Sequence, residues 1–133
     1  EAFLPIPKET PFGKYFSDAS AAYMLAFFGT FIAPLLEELF FRGFMYPAVA
    51  RHAGSAGSVA VTSLVFALIH APQYSRAWAL MLLLFLVGVV LTLVRVRTGS
   101  VAASFLVHAG YNFSLFAVLY IASDHFQRLE NMR

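Results

Sequence analysis

Polar and apolar positions along the chain segregate into long blocks. Between Ala19 and Ala122 apolar residues run in stretches of a dozen or more, separated by short clusters of turn-forming residues. Segment A, about Ala19 to Ala50, would be about 48 Å long as a helix at 1.5 Å per residue. That exceeds a roughly 30 Å hydrocarbon layer, so it must tilt, kink or protrude. Pro34 removes a backbone donor and predicts a kink one turn earlier, just ahead of Glu37. The cluster "RHAGSAGS" ends segment A. Segment B, about Ser58 to Ala71, is short for a full span and is stopped by Pro72. Segment C, Ala77 to Val94, has about the length of a membrane crossing and is closed by Arg95, Arg97 and Gly99. Segment D runs from Val101 to Ala122. The prediction is an all-α, polytopic transmembrane helix bundle with about four membrane segments. Residues 1–18, with three prolines, read as an irregular or interfacial lead-in in which Ser17 or Asp18 caps segment A. Residues 19–122 read as the core, and 123–133 as a polar tail.

Composition supports the bilayer. The chain is 60% hydrophobic and 12% charged, about half the charged fraction of an ordinary soluble domain. Between Ala19 and Ala122 the only acids are Glu37 and Glu38. The net charge of +2 comes without a basic stripe interleaved with aromatics, which argues against nucleic acid as a partner. With no Cys, disulfides, thiolate metal sites and a cysteine nucleophile are excluded. The chain begins at Glu1 without a signal peptide pattern and is expected to be part of a longer protein. Four successive crossings put Arg51, Arg95 and Arg97 on one side, in short loops, and the preferred orientation makes that side cytoplasmic.

Charge inside hydrocarbon is costly, about 2.5–3.5 kcal/mol at a helix centre on insertion scales, and needs a partner or a function. Segment A carries Glu37, Glu38 and Arg42, segment B carries His70, and segment D carries His108 and Asn112. Counted from the Arg51/Arg95/Arg97 side, Arg42 lies roughly 13 Å deep, Glu37 roughly 21 Å, His70 roughly 18 Å, His108 roughly 10 Å and Asn112 roughly 16 Å. Three helices thus place these groups in one band. Glu38 and Arg42 stand at i,i+4 and can pair on one helix face. Glu37 points about 100° away from Glu38. His108 and Asn112 share a face of segment D, and Phe66 shares one with His70. Asn112 alone would also fit a role as interhelical glue. Thr30, Thr62, Ser63, Thr92, Ser104 and Ser114 are expected to bond to their own helix backbones.

Elimination narrows the chemistry. An aspartyl dyad would need two membrane Asp, and only Asp18 and Asp124 occur, both at segment ends. The HExxH signature is absent, and no GxSxG elbow appears. What remains is a carboxylate, two imidazoles and an amide. Glu37 could act as general base towards a water held by His70, with His108 and Asn112 donating to an oxyanion. Equally, Glu37, His70 and His108 could ligate zinc as a His₂Glu set. Two non-protease readings fit the same residues: a membrane scaffold binding a partner or lipid, and a proton-coupled transporter. The absence of an inverted repeat counts against the transporter.

"EELFFRG" (Glu37–Gly43), "FALIH" (Phe66–His70) and "HAGYN" (His108–Asn112) resemble the EExxxR, FxxxH and HxxxN motifs of the CPBP family. These are the CAAX-processing and bacteriocin-processing intramembrane proteases, also called Rce1-like or Abi. The resemblance spans about Leu35 to Ser114. It implies a glutamate-dependent intramembrane endopeptidase acting on membrane-associated polypeptides, such as prenylated CaaX proteins. Glu37 would be general base, His70, His108 and Asn112 oxyanion stabilisers, and Glu38–Arg42 a structural pair. It implies no required cofactor, with zinc as the alternative, and further N-terminal helices in the full protein. Some bacterial members are linked to bacteriocin immunity, which keeps a non-enzymatic immunity protein as the alternative. The expected location is a bacterial plasma membrane, or the endoplasmic reticulum in a eukaryote.

Overall fold

The computed structural model describes residues 19–73 and 77–126. The lead-in at 1–18 with its Ser17/Asp18 cap, and the tail beyond 126, lie outside the described residues. Among the described residues the chain is helical throughout, with no strand. Its first stretch contains α1 (Ala19–Phe27), α2 (Ala33–Glu38) and α3 (Tyr46–Ile69), joined by two wide π-type turns at Phe28–Ile32 and Leu39–Met45. A short 3₁₀ turn, Ala71–Gln73, follows, then α4 (Trp78–Thr98) and α5 (Val101–Ala122). Among the described residues three helical stretches are long and apolar enough to cross a membrane: Ser20–Gln73, Trp78–Thr98 and Val101–Ala122. The protein is an integral membrane protein.

The first stretch folds back on itself within α3. Gly54, at φ 68° and ψ 175°, adopts a conformation that is essentially reserved for glycine. Its break divides α3 into arms at 46–53 and 55–69. Ser58 Oγ donates to the Tyr46 carbonyl at 2.7 Å, and the Tyr46 and Ser55 hydroxyls lie 3.0 Å apart, so the arms are clamped as a hairpin. The expected turn at "RHAGSAGS" is therefore present, and the long stretch passes the bilayer in two directions. The returning arm, about 22 Å long at 1.5 Å per residue, falls short of a roughly 30 Å hydrocarbon layer. Its last residues, ending at His70, thus lie at depth.

Both prolines of the first stretch follow a π-type turn. The Ala33 N–H bonds to the Phe28 carbonyl and the Tyr46 N–H to the Phe41 carbonyl, each five residues back. In that register the next donors would be Pro34 and Pro47, which have no N–H. The carbonyls five residues behind them, Gly29 and Arg42, are left for others. Asn112 Nδ2 on α5 donates to the Gly29 carbonyl at 2.8 Å, and Arg95 Nε on α4 to the Arg42 carbonyl at 3.3 Å. The distortion expected from Pro34 is thus a wide turn whose freed acceptor ties α5 to the first helix.

The bundle is polar within and apolar without, as hydrocarbon solvent requires. Glu38, Arg42, Ser58, Thr62, Ser63, Thr92 and Ser104 are fully buried, while Phe28, Phe31, Leu36, Leu83, Leu106 and Phe113 are exposed. Gly88 lets α4 approach the returning arm of α3. A Cβ there would sit 3.1 Å from Ser63 Cα and 3.3 Å from the Phe66 ring. Gly99, at φ 67°, ends α4 in the left-handed conformation usual at a helix C-terminus. Ser100 Oγ then caps α5 by accepting from the Ala103 N–H at 3.2 Å.

Candidate active site

Helical spacing brings Glu38 and Arg42 together as expected. Arg42 Nη1 donates to Glu38 Oε1 at 2.9 Å, with both side chains fully buried. Arg42 is held further by Nη2, which donates to the Gly88 carbonyl at 3.0 Å, and by the Phe66 ring, whose centroid lies 4.9 Å from its guanidinium carbon. Thr92 Oγ1 donates to the same Gly88 carbonyl at 2.7 Å. Close approach of α4 at Gly88 therefore delivers a backbone acceptor to a buried cation.

Glu38 has two further partners besides Arg42. Ser104 Oγ on α5 donates to Glu38 Oε2, and His108 Nδ1 lies 2.9 Å from Glu38 Oε1. Ser104 was expected to bond to its own helix. Instead it sits where α5 crosses both α4 and the Glu38 turn, reaching the Leu91 carbonyl at 2.9 Å as well as the carboxylate. Thr92 and Ser114 do bond to carbonyls four residues back in their own helices. Thr62 and Ser63 do not, and among the described residues their buried hydroxyls find no partner. Ser104 and Gly88 are the site residues that motif reasoning misses. One signal for Ser104 was present: it stands four residues before His108, on the same face of α5.

Glu37 turns away from this network and is partly open, with 25% of its side chain exposed. His108 Nε2 lies 3.7 Å from Glu37 Oε2. That is too long for a direct hydrogen bond and suits a bridging atom. His70 also lies within electrostatic reach of Glu37. At the end of the returning arm of α3, His70 Nδ1 lies 2.7 Å from the Phe66 carbonyl. A carbonyl only accepts, so Nδ1 carries a proton, and in the neutral ring Nε2 presents its lone pair.

Phe66 fills the space between these groups. Its ring centroid is 4.9 Å from that of His70, 5.9 Å from that of His108 and 5.4 Å from that of Phe41. The expected packing of Phe66 beside His70 is present, and the same ring also backs His108 and Arg42. Asn112 stands one turn beyond His108. Its amide N–H₂ has two donors; one is taken by the Gly29 carbonyl and the other is left for a ligand. Among the described residues no group of three or more His, Asp or Glu side chains comes together as a metal-binding set.

Neither the curated proteins nor the solved structures contain a match to the chain. A family model does match: "Type II CAAX prenyl endopeptidase Rce1-like" covers residues 19–114. The matched stretch takes in the glutamate pair with its arginine, both intramembrane histidines and Asn112, and it extends over well over half of the sequence. With that coverage, the chain belongs to the Rce1-like family of type II CAAX prenyl endopeptidases.

Proposed function

We propose that the chain is the catalytic core of an intramembrane endopeptidase that cleaves membrane-associated polypeptides of the prenylated CaaX type. Family membership supports a protease. The observation that carries the mechanism is the partly open Glu37 carboxylate, with His108 Nε2 3.7 Å away. In this mechanism water lies between Glu37 and His70, whose Nε2 accepts one of its hydrogens. Glu37 removes a proton as the water oxygen bonds to the scissile carbonyl carbon. The carbonyl oxygen becomes an oxyanion that accepts from the second Asn112 N–H and from Nε2–H of His108, which in this step is the imidazolium that keeps its Nδ1–H on Glu38. When the C–N bond breaks, the proton held by Glu37 passes to the departing amine. Glu38 and Arg42 carry no step and hold the floor of the site. The membrane is that of the bacterial cell, with the Arg51, Arg95 and Arg97 end facing the cytoplasm.

The test uses protein reconstituted into liposomes with a fluorogenic farnesylated CaaX peptide. Glu37→Gln removes the base, and loss of a general base costs about 10²- to 10⁴-fold. Loss of an oxyanion donor in His108→Ala costs about 10²- to 10³-fold. His70→Ala is expected to fall in the same range, and all three variants should keep wild-type helical content. Activity retained by all three would refute the mechanism. Activity should also survive a strong chelator. Loss on chelation with recovery on zinc would replace the glutamate mechanism with a metal one.

A further inference from the structure

Motif reasoning makes Glu38 the counter-ion of Arg42 and nothing more. The atoms describe a second relation. Glu38 Oε1 lies 2.9 Å from Arg42 Nη1 and 2.9 Å from His108 Nδ1. Arg42 is only a donor and the carboxylate it pairs with only accepts, so Oε1 accepts from both. His108 therefore carries a proton on Nδ1. The other carboxylate oxygen, Oε2, accepts from Ser104 Oγ, which stops the carboxylate from turning. All four side chains are at least nine-tenths buried, so no bulk water competes for these positions. With Nδ1 committed, Nε2 is the one nitrogen of His108 left for the site, and it faces Glu37.

From this we infer that Glu38, held by Ser104, is a positioning residue for His108. It fixes the imidazole in the Nδ1-protonated state and aims Nε2 at Glu37 and the reacting atoms. The arrangement is a carboxylate–imidazole pair of the kind in which the acid orients the base without itself exchanging the proton. Arg42 holds Glu38 in place through the 2.9 Å contact of Nη1 with Oε1, so the pair serves the imidazole as well as the fold. The role in catalysis rests on the protease reading above; the protonation state of His108 does not.

The test separates the two. Protein labelled with ¹⁵N-histidine, purified into nanodiscs without substrate, reports which ring nitrogen carries the proton. His108→Gln identifies the His108 signals. The expected result is a protonated Nδ1; a proton on Nε2 alone would overturn the inference, whatever the enzyme does. The second arm is the paired replacement Glu38→Leu with Arg42→Met. It removes both charges together, a change that buried ion pairs often tolerate. His108 should then lose its single Nδ1-protonated signature and show a mixture of both forms. Cleavage of the farnesylated peptide should fall by roughly 10²-fold or more in kcat with KM little changed, since losing the orienting acid of such a pair costs up to about 10⁴-fold. An unaltered His108 signature in a folded paired variant would make Glu38 a counter-ion only. If no protein, wild type included, cleaves any peptide while the signature responds as expected, the protease reading fails and the positioning of His108 stands.

Discussion

Replacing Arg42 with Met asks what the buried cation contributes. Arg42 is fully buried; it donates to Glu38 at 2.9 Å and to the Gly88 carbonyl at 3.0 Å, and it stacks 4.9 Å from the Phe66 centroid. These contacts fall into two classes. The Glu38 pair is four residues apart and forms within one helix, before any packing. It offsets part of the cost of carrying charge into hydrocarbon, about 2.5–3.5 kcal/mol per residue on insertion scales. The Gly88 and Phe66 contacts form only when the first helix packs against α4 and the returning arm of α3. A hydrogen bond between membrane helices averages about 0.6 kcal/mol, and a desolvated cation–π contact reaches about 2 kcal/mol. Arg42→Met keeps the apolar bulk and removes both classes. It should lower unfolding stability by about 1–3 kcal/mol, the packing-dependent share, and lower the yield of inserted protein through the unpaired Glu38. Unfolding in SDS mixed micelles, followed by Trp78 fluorescence, measures the first effect, and membrane-fraction yield the second. Arg42→Lys keeps a cation for Glu38 but lacks the fork that reaches Gly88, so it should restore yield without restoring stability. An Arg42→Met protein with wild-type yield and stability within about 0.5 kcal/mol, the range of an inconsequential surface change, would refute this division.

Other positions give sharper single outcomes. Gly88→Ala places a methyl 3.1 Å from Ser63 Cα and should cost about 1–3 kcal/mol by overpacking, read as an earlier SDS midpoint; an unchanged midpoint would mean that α4 can move away freely. Gly54→Ala strains the hairpin apex, at φ 68° and ψ 175°, and should cost about 1–3 kcal/mol, whereas a neutral result would show a hairpin held by Ser58 and Tyr46 alone. Asn112→Leu strands the Gly29 carbonyl and removes the proposed oxyanion donor, so thermal midpoint and cleavage rate should both fall, the rate by about 10²- to 10³-fold. An unchanged midpoint would show that the Gly29 contact holds nothing. Because the chain has no Cys, single cysteines at Ser55→Cys and Asp124→Cys report orientation. Ser55→Cys should react with membrane-impermeant maleimide only in inverted vesicles and Asp124→Cys only in intact cells; the reverse pattern would turn the proposed topology over.

How far these contacts were legible in the sequence depends on which coordinate each one needs. Depth follows from the rise per residue. Counting along segments A, B and D therefore placed Glu37, His70, His108 and Asn112 in one band before any packing was known. Pairs within one helix follow from the turn, which is why Glu38–Arg42 and Phe66–His70 could be read directly. Rotation of one helix against another is set by packing, and no local spacing reports it. Ser104 to Glu38 and Arg42 to Gly88 join residues 66 and 46 positions apart. The first depends on how α5 is turned, the second on one small residue in a run of large ones. The prolines show the same limit. Pro34 announced a distortion, but only the packed bundle shows that Asn112 takes the carbonyl it frees, and Pro47 with Arg95 repeats the device.

The same distinction explains why two adjacent glutamates differ. One residue along a helix is about 100° of rotation and 1.5 Å of rise, so Glu37 and Glu38 share a depth and differ almost entirely in direction. Glu38 points into the crossing of α2 and α5, where Arg42, Ser104 and His108 Nδ1 take up its oxygens. Glu37 points towards the partly open side, where His108 Nε2, at 3.7 Å, approaches its carboxylate. His108 lies between them and touches each through a different nitrogen. Depth alone assigned His108 to Glu37; rotation assigns its Nδ1 to Glu38 and leaves Nε2 for Glu37. Exchanging which glutamate is removed therefore separates the two roles. Glu37→Gln should leave the Nδ1-protonated signature of His108 intact while cleavage is lost. The paired removal of Glu38 and Arg42 should disturb that signature first, with cleavage falling as its consequence.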